Sequence, residues 1–206
     1  MSVKVKICGI TNVADGLAAT EAGADILGFV FHPASPRFVS VEVAARIIRE
    51  LPAFVVKAGV FVDAPAELVI RAIGDCSLNL LQFHGREAPD YCAQFGLMCM
   101  KAFRVKDARS LEGLVEYQTE AWLLDAYAPD KEGGTGETFN WDLAREAQKF
   151  GRPIFLAGGL TCANVAAAVA RVRPYGVDVS SGVEASPGHK DHDKVRAFIR
   201  AAKTVH

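Results

Sequence analysis

Two kinds of hydrophobic spacing alternate along the chain. Short, nearly continuous runs of Val, Ile, Leu and Phe recur as "VKVKIC", "DILGFVF", "FVVKAGVFV", "LNLLQF", "LMCMKAF", "AWLLD", "PIFLA" and "GVDVS". Runs of this length and composition read as strands buried on both faces. Between them the spacing becomes that of a single helical face. Ala44, Ile47, Ile48 and Leu51 stand at i, i+3, i+4 and i+7. So do Val165, Ala168, Val169 and Val172, and again Val195, Phe198, Ile199 and Ala202. Thr11, Ser40 and Thr161 suit N-caps, and Gly23 and Pro52 suit helix ends.

Eight strand runs, each followed by a helical or short connecting segment, predict a parallel sheet whose outer face is covered by helices. Eight such units close most naturally into a single (β/α)8 barrel domain over residues 1–206, near the lower size limit for that fold. An open doubly wound sheet lacks support, because no G-x-G-x-x-G follows the first strand.

Composition narrows the function classes. The chain has 206 residues, half of them apolar, and a net charge of -1. Without a basic excess or a basic run, no nucleic-acid partner is expected. No apolar run approaches a membrane span, and no signal-peptide pattern follows Met1, so a cytoplasmic protein is expected, as monomer or homodimer. The five cysteines, Cys8, Cys76, Cys92, Cys99 and Cys162, are odd in number and scattered, which argues for reduced thiols over a disulfide or zinc framework. "GHKDHDKV" crowds His189, Asp191, His192 and Asp193 together, but reads as a helix start capped by Asp191 or Asp193 rather than a metal site.

In this fold, chemistry belongs at the C-terminal ends of the strands, and phosphate is often held after strands 7 and 8. After strand 7 comes "AGGLT", with Gly158 and Gly159; after strand 8 comes "SSGVE", with Ser180, Ser181 and Gly182. Glycines admit close approach of backbone N–H groups to an anion, and serines add donors. A short helix beginning after Gly182 would aim its positive end at the same point. A phosphorylated small molecule is the expected ligand.

Ionisable groups mark other strand ends. Cys8 ends strand 1, and Asp125 closes the apolar run of strand 6, well before the next helix, expected near Asn140. The polar loop "HPASPRFVS" carries Arg37, whose guanidinium can grip a carboxylate with two N–H groups. His84 ends strand 4 and is expected to line or support the pocket. Strand alternation puts Lys4, Lys6 and Cys8 on one face. Lys6 is then buried one layer below Cys8 and needs a partner, for which Asp178 on the adjoining eighth strand is the candidate. Lys6 is expected to favour a Cys8 thiolate, with Asp178 restraining that effect.

Taken in order, "KICGIT", "SPRFVS", "LQFHG", "LLD", "GGTGETFNW", "LAGGL" and "VDVSSGVE" resemble the phosphoribosylanthranilate isomerases of tryptophan biosynthesis, over essentially the whole chain. The resemblance implies an Amadori rearrangement of a phosphoribosylated anthranilate, with no metal and no organic cofactor. It implies Cys8 as general base, Asp125 as general acid and Arg37 as the grip on the anthranilate carboxylate. It also implies phosphate on Gly158, Gly159, Ser180, Ser181 and Gly182. Acid–base work of this kind asks for a thiol lowered by nearby positive charge and a carboxylic acid raised by an apolar pocket. In "FNW" the chain departs from the family's usual aspartate, but Asn140 caps a helix about as well. Two other classes compete: a lyase- or epimerase-type phosphosugar barrel enzyme, and a non-catalytic phosphosugar-binding protein. The former needs a strand-end lysine or metal-binding histidines; the latter need not keep both Cys8 and Asp125.

Overall fold

The computed structural model describes residues 2–126 and 141–205. Eight parallel strands close into a barrel in chain order: β1 (Lys4–Cys8), β2 (Ile26–Val30), β3 (Val56–Phe61), β4 (Leu80–Phe83), β5 (Met98–Val105), β6 (Ala121–Ala126), β7 (Ile154–Ala157) and β8 (Gly176–Val179). The last strand pairs with the first, placing Lys6 opposite Asp178. Around them run α1 (Val13–Glu21), α2 (Val41–Arg49), α3 (Ala66–Cys76), α4 (Pro89–Ala93), α5 (Trp141–Gln148), α6 (Val165–Val172) and α7 (His192–Lys203). Two 3-10 turns, Ala108–Leu111 and Leu114–Glu116, stand where a helix would follow β5. The Asn140 cap and most of the "GGTGETFNW" stretch lie outside the described residues.

The two-residue period of the strands sorts the core into two bodies. Leu27, Phe29, Leu81, Phe83, Trp122 and Leu124 point outward and pack beneath the helices. Ile26, Ala58, Leu80, Met100, Leu123 and Phe155 point inward and fill the barrel. The helical faces expected from the spacing are buried, from Ala44, Ile47 and Ile48 on α2 to Val195, Phe198, Ile199 and Ala202 on α7. Their apolar area gives the helices most of their stability, because isolated segments of this length are marginal in water.

Helix starts agree in part. Ser40 caps α2 by accepting from Val43 N at 3.3 Å, and Asp191 caps α7 by accepting from Asp193 N and Lys194 N. Asn12, not Thr11, caps α1, accepting from Asp15 N at 2.8 Å. Thr11 is diverted because its hydroxyl donates to the carbonyl of Gly188. Thr161 likewise lies short of α6; its N–H donates to Asn164 Oδ1 in a turn, and the helix begins at Val165. Among the described residues, no helix is long and apolar enough to cross a membrane.

Candidate active site

Because all eight strands are parallel, their C-terminal ends open on one face, and the residues singled out above gather there. Cys8 is the last residue of β1, Asp125 is the last but one of β6, and His84 follows β4. Arg37 comes from the loop after β2, Gly158 and Gly159 from the turn after β7, and Ser180 to Gly182 from the turn after β8. Cys8 forms the top interior layer with Val30 and Val60.

Below Cys8, Lys6 is fully buried and its Nζ donates to Asp178 Oδ1 at 2.9 Å. Gly28 on β2 makes room for both groups. A Cβ there would lie 2.8 Å from Cys8 Sγ and 3.0 Å from Lys6 Nζ. Burial works against the charge on Lys6, but Asp178 and Cys8 more than offset it and hold the ammonium above its ordinary pKa. Lys6 is therefore a fixed cation beneath the thiol throughout the physiological range.

That cation does not bring the pKa of the thiol down to neutrality. Burial pushes the Cys8 pKa up, Lys6 pulls it down, Asp178 opposes Lys6, and Lys190 adds a smaller pull downward. Burial prevails, and Cys8 sits above its ordinary value. The expected lowering by positive charge is real in sign, but desolvation of a side chain with 7 % exposure exceeds it.

Arg37 does not wait free at the mouth. Its Nε and Nη2 each donate to Glu184 at 2.7 Å, a bidentate pair. Glu184 Oε1 also accepts from the buried Lys190 Nζ at 2.9 Å. The Arg37 stem crosses directly over Gly9, where a Cβ would meet Arg37 Cδ at 2.6 Å; with φ at +78° this position demands glycine twice over. Glu184 is driven up by burial, but bonds from Arg37 and Lys190 outweigh this and hold it below the usual carboxylate range. The network accordingly holds at neutral pH and comes apart as pH falls through that depressed value.

The glycine-bearing turns stand after β7 and β8 as the spacing predicts, but differ from the expectation in local shape. Gly158 and Gly159 both adopt positive φ, at +82° and +66°. Gly182 packs so closely on Leu160 that a Cβ would lie 2.0 Å from its carbonyl oxygen. The short helix expected after Gly182 is instead a 3-10 turn, Ser181–Val183, which already contains it. Beyond it the chain forms a hairpin, β9 (Glu184–Ser186) against β10 (His189–Lys190), reversed at Pro187 and Gly188. A helix is excluded because Gly188 takes φ +82° and Lys190 is drawn back to Glu184. Ser180 Oγ donates to the Cys8 carbonyl at 3.1 Å, so it also steadies the end of β1.

Two residues of the Arg37 network, Glu184 and Lys190, lie outside the sequence expectations. Glu184 lay inside the quoted "VDVSSGVE", but its pairing depends on the hairpin. Lys190 carries no local signal of its role, because its Nζ reaches Glu184 only through the turn of the hairpin. In the structure His192 Nε2 lies 2.8 Å from Asp15 Oδ1, and no cluster of three metal-ligating groups occurs among the described residues.

Comparison with known proteins gives one consistent result. The family described as N-(5'phosphoribosyl)anthranilate (PRA) isomerase matches over residues 5–201. N-(5'-phosphoribosyl)anthranilate isomerase of Trichlorobacter lovleyi is 56% identical over 201 residues, covering 98% of each chain. A solved phosphoribosyl anthranilate isomerase in complex with reduced 1-(o-carboxyphenylamino)-1-deoxyribulose 5-phosphate superimposes with TM-score 0.89 at 42% identity, over 98% of this chain and 99% of that one. Engineered monomers of the dimeric enzyme from Thermotoga maritima give 0.87 at 41%, over 98% of both.

Proposed function

The chain belongs to the N-(5'-phosphoribosyl)anthranilate isomerase family, and we propose that Cys8 is the general base and Asp125 the general acid of its reaction. That reaction is an Amadori rearrangement, converting N-(5-phosphoribosyl)anthranilate to 1-(2-carboxyphenylamino)-1-deoxyribulose 5-phosphate. It adds and removes no atoms, so acid–base chemistry suffices. Asp125 gives a proton to the furanose oxygen as its bond to C1 breaks, leaving an iminium. The iminium acidifies the C2 hydrogen, which Cys8 takes as thiolate; the resulting enaminol becomes the ketone by shifting a proton from the C2 hydroxyl to C1. The observation that carries the assignment is the placement of Cys8 and Asp125 on the inward-facing ends of two strands of one mouth.

The rest of the substrate finds matching groups. The turns at Gly158, Gly159, Ser181 and Gly182 offer backbone N–H groups to the phosphate, with Ser180 beside them. Arg37 takes the anthranilate carboxylate on its free edge while Glu184 keeps the guanidinium in place. This cationic grip on an aromatic carboxylate favours the aromatic aminoaldose over a phosphosugar lacking that group.

The acid assignment is tested by Asp125→Asn, followed through the fluorescence of the anthranilate substrate. The amide keeps size and hydrogen bonding but cannot give up a proton, so kcat is expected to fall about 100-fold, at the lower end for a lost general acid. Undiminished turnover would refute it.

The protein is a homodimer in this reading, as stated for the Thermotoga maritima relative. The N-terminal end of the barrel supports this: Phe54 is fully exposed there, beside an apolar cavity of about 500 Å³ walled by Ile26, Val56, Leu80, Met100 and Phe155. A second copy is the natural cover for such a patch. Light scattering should give twice the chain mass for the wild type and the single mass for Phe54→Asp; a monomeric wild type would exclude the dimer. The same reading makes this a cytoplasmic enzyme, to which five free cysteines are suited.

A further inference from the structure

Gln82, on β4, is buried inside the barrel with 1 % exposure, and its amide is the group beneath His84. Gln82 Nε2 lies 3.0 Å from His84 Nδ1, and His84 Nε2 lies 3.2 Å from Asp125 Oδ2. The other polar atom of the amide, Gln82 Oε1, is buried without a hydrogen-bond partner among the described residues. An amide that forgoes one of its own bonds to face an imidazole needs an explanation beyond packing.

The donor direction follows from this arrangement. Turning the amide would leave a buried N–H orphaned in place of a carbonyl oxygen, and orphaned N–H groups are the rarer of the two in folded proteins. Gln82 therefore donates to Nδ1, so the neutral imidazole must carry its hydrogen on Nε2. That hydrogen points at Asp125 Oδ2. With Oδ2 engaged, the acid proton belongs on Oδ1, the other oxygen, which is left to face the substrate.

We infer that Gln82 and His84 are positioning residues for the general acid, a two-step side-chain relay that holds Asp125 with Oδ1 as its proton-carrying oxygen. The relay rests on the reading of Asp125 as the acid. It explains a polar residue in the apolar interior, where Ala58, Leu80, Met100 and Leu123 are the neighbouring fill. It also gives His84 a function without contact with ligand.

The test combines ring-nitrogen NMR with kinetics. In wild-type protein labelled with 15N, the His84 ring should show hydrogen on Nε2 and none on Nδ1; the signal is assigned by its loss in His84→Gln. In Gln82→Leu that preference should disappear and kcat should fall about 100-fold, the order expected for misplacing a reacting group by an ångström. KM should stay nearly unchanged, because no substrate contact is removed. His84→Gln, whose amide N–H reaches towards the Nε2 position, should keep more activity than His84→Ala. Hydrogen on Nδ1 in the wild type would overturn the relay. So would equal kcat in His84→Gln and His84→Ala, a comparison that stands even if Gln82→Leu fails to fold. If Asp125→Asn is impaired while folded relay variants turn over normally, the relay alone is wrong. If Asp125→Asn turns over normally, the acid assignment falls and takes the relay's catalytic role with it.

Discussion

Replacing Cys8 by alanine should lower kcat by roughly 10² to 10⁴-fold, the range for a general base removed from a proton transfer at carbon. Binding should survive, because in the proposed reading the substrate's anions are held elsewhere: the phosphate by the turns after β7 and β8, the carboxylate by Arg37. Titration of product-analogue binding in Cys8→Ala against wild type checks both halves. A variant that retains turnover would remove the thiol from the mechanism. The wild type carries a pH signature as well. Burial holds the Cys8 pKa above its ordinary value in the free protein, so the thiolate fraction, and with it kcat/KM, should still be rising with pH above neutrality. A profile already flat there would mean that another base does the work.

Lys6→Met is expected to have the largest effect on stability. Lys6 is fully buried, and its partner Asp178 is nearly so. Removing one member of such a pair leaves an uncompensated buried charge, at a cost of about 3–5 kcal/mol. The midpoint of urea unfolding should drop accordingly, with an unchanged slope. Replacing both partners, as in Lys6→Met with Asp178→Leu, should recover much of that loss, since an apolar pair of similar volume is often neutral in such positions. Chemistry separates a structural from an electrostatic role. Lys6 is the strongest influence drawing the Cys8 thiol downward. Its pull outweighs the opposing push of Asp178, so the alkylation rate of Cys8 should rise at higher pH in the double variant than in the wild type, even where stability is restored. An unchanged titration would sink the idea that Lys6 serves the thiol.

These two residues illustrate how the site is built. The Lys6–Asp178 pair was readable before any coordinates: parity placed Lys6 under Cys8, and barrel closure brought β8 alongside β1. A different rule, that chemistry gathers at the C-terminal ends of barrel strands, located Asp125 and the glycine turns. Helix starts were less readable, because a cap is chosen by competition. Thr11 had the right chemistry for α1, but a carbonyl from the distant Gly188 claimed its hydroxyl. The hairpin after Gly182 was hidden for a related reason, since its shape depends on Lys190 reaching back to Glu184. No local propensity encodes that reach.

What the chain by itself determined was periodicity: which segments are strands, which faces are apolar, and that eight parallel units bring every strand end to one mouth. From these came Cys8, Asp125, the paired turns and the buried lysine, together with the motifs that mark the family. Only the tertiary structure decided how those groups are charged and aimed. It showed desolvation exceeding Lys6 at the Cys8 thiol, Glu184 clamping Arg37, and Gln82 reaching Asp125 through His84. The reason is physical. A period needs only neighbours in sequence, whereas a pKa or a donor direction depends on distances between side chains from different strands. Those distances exist only once the barrel has closed.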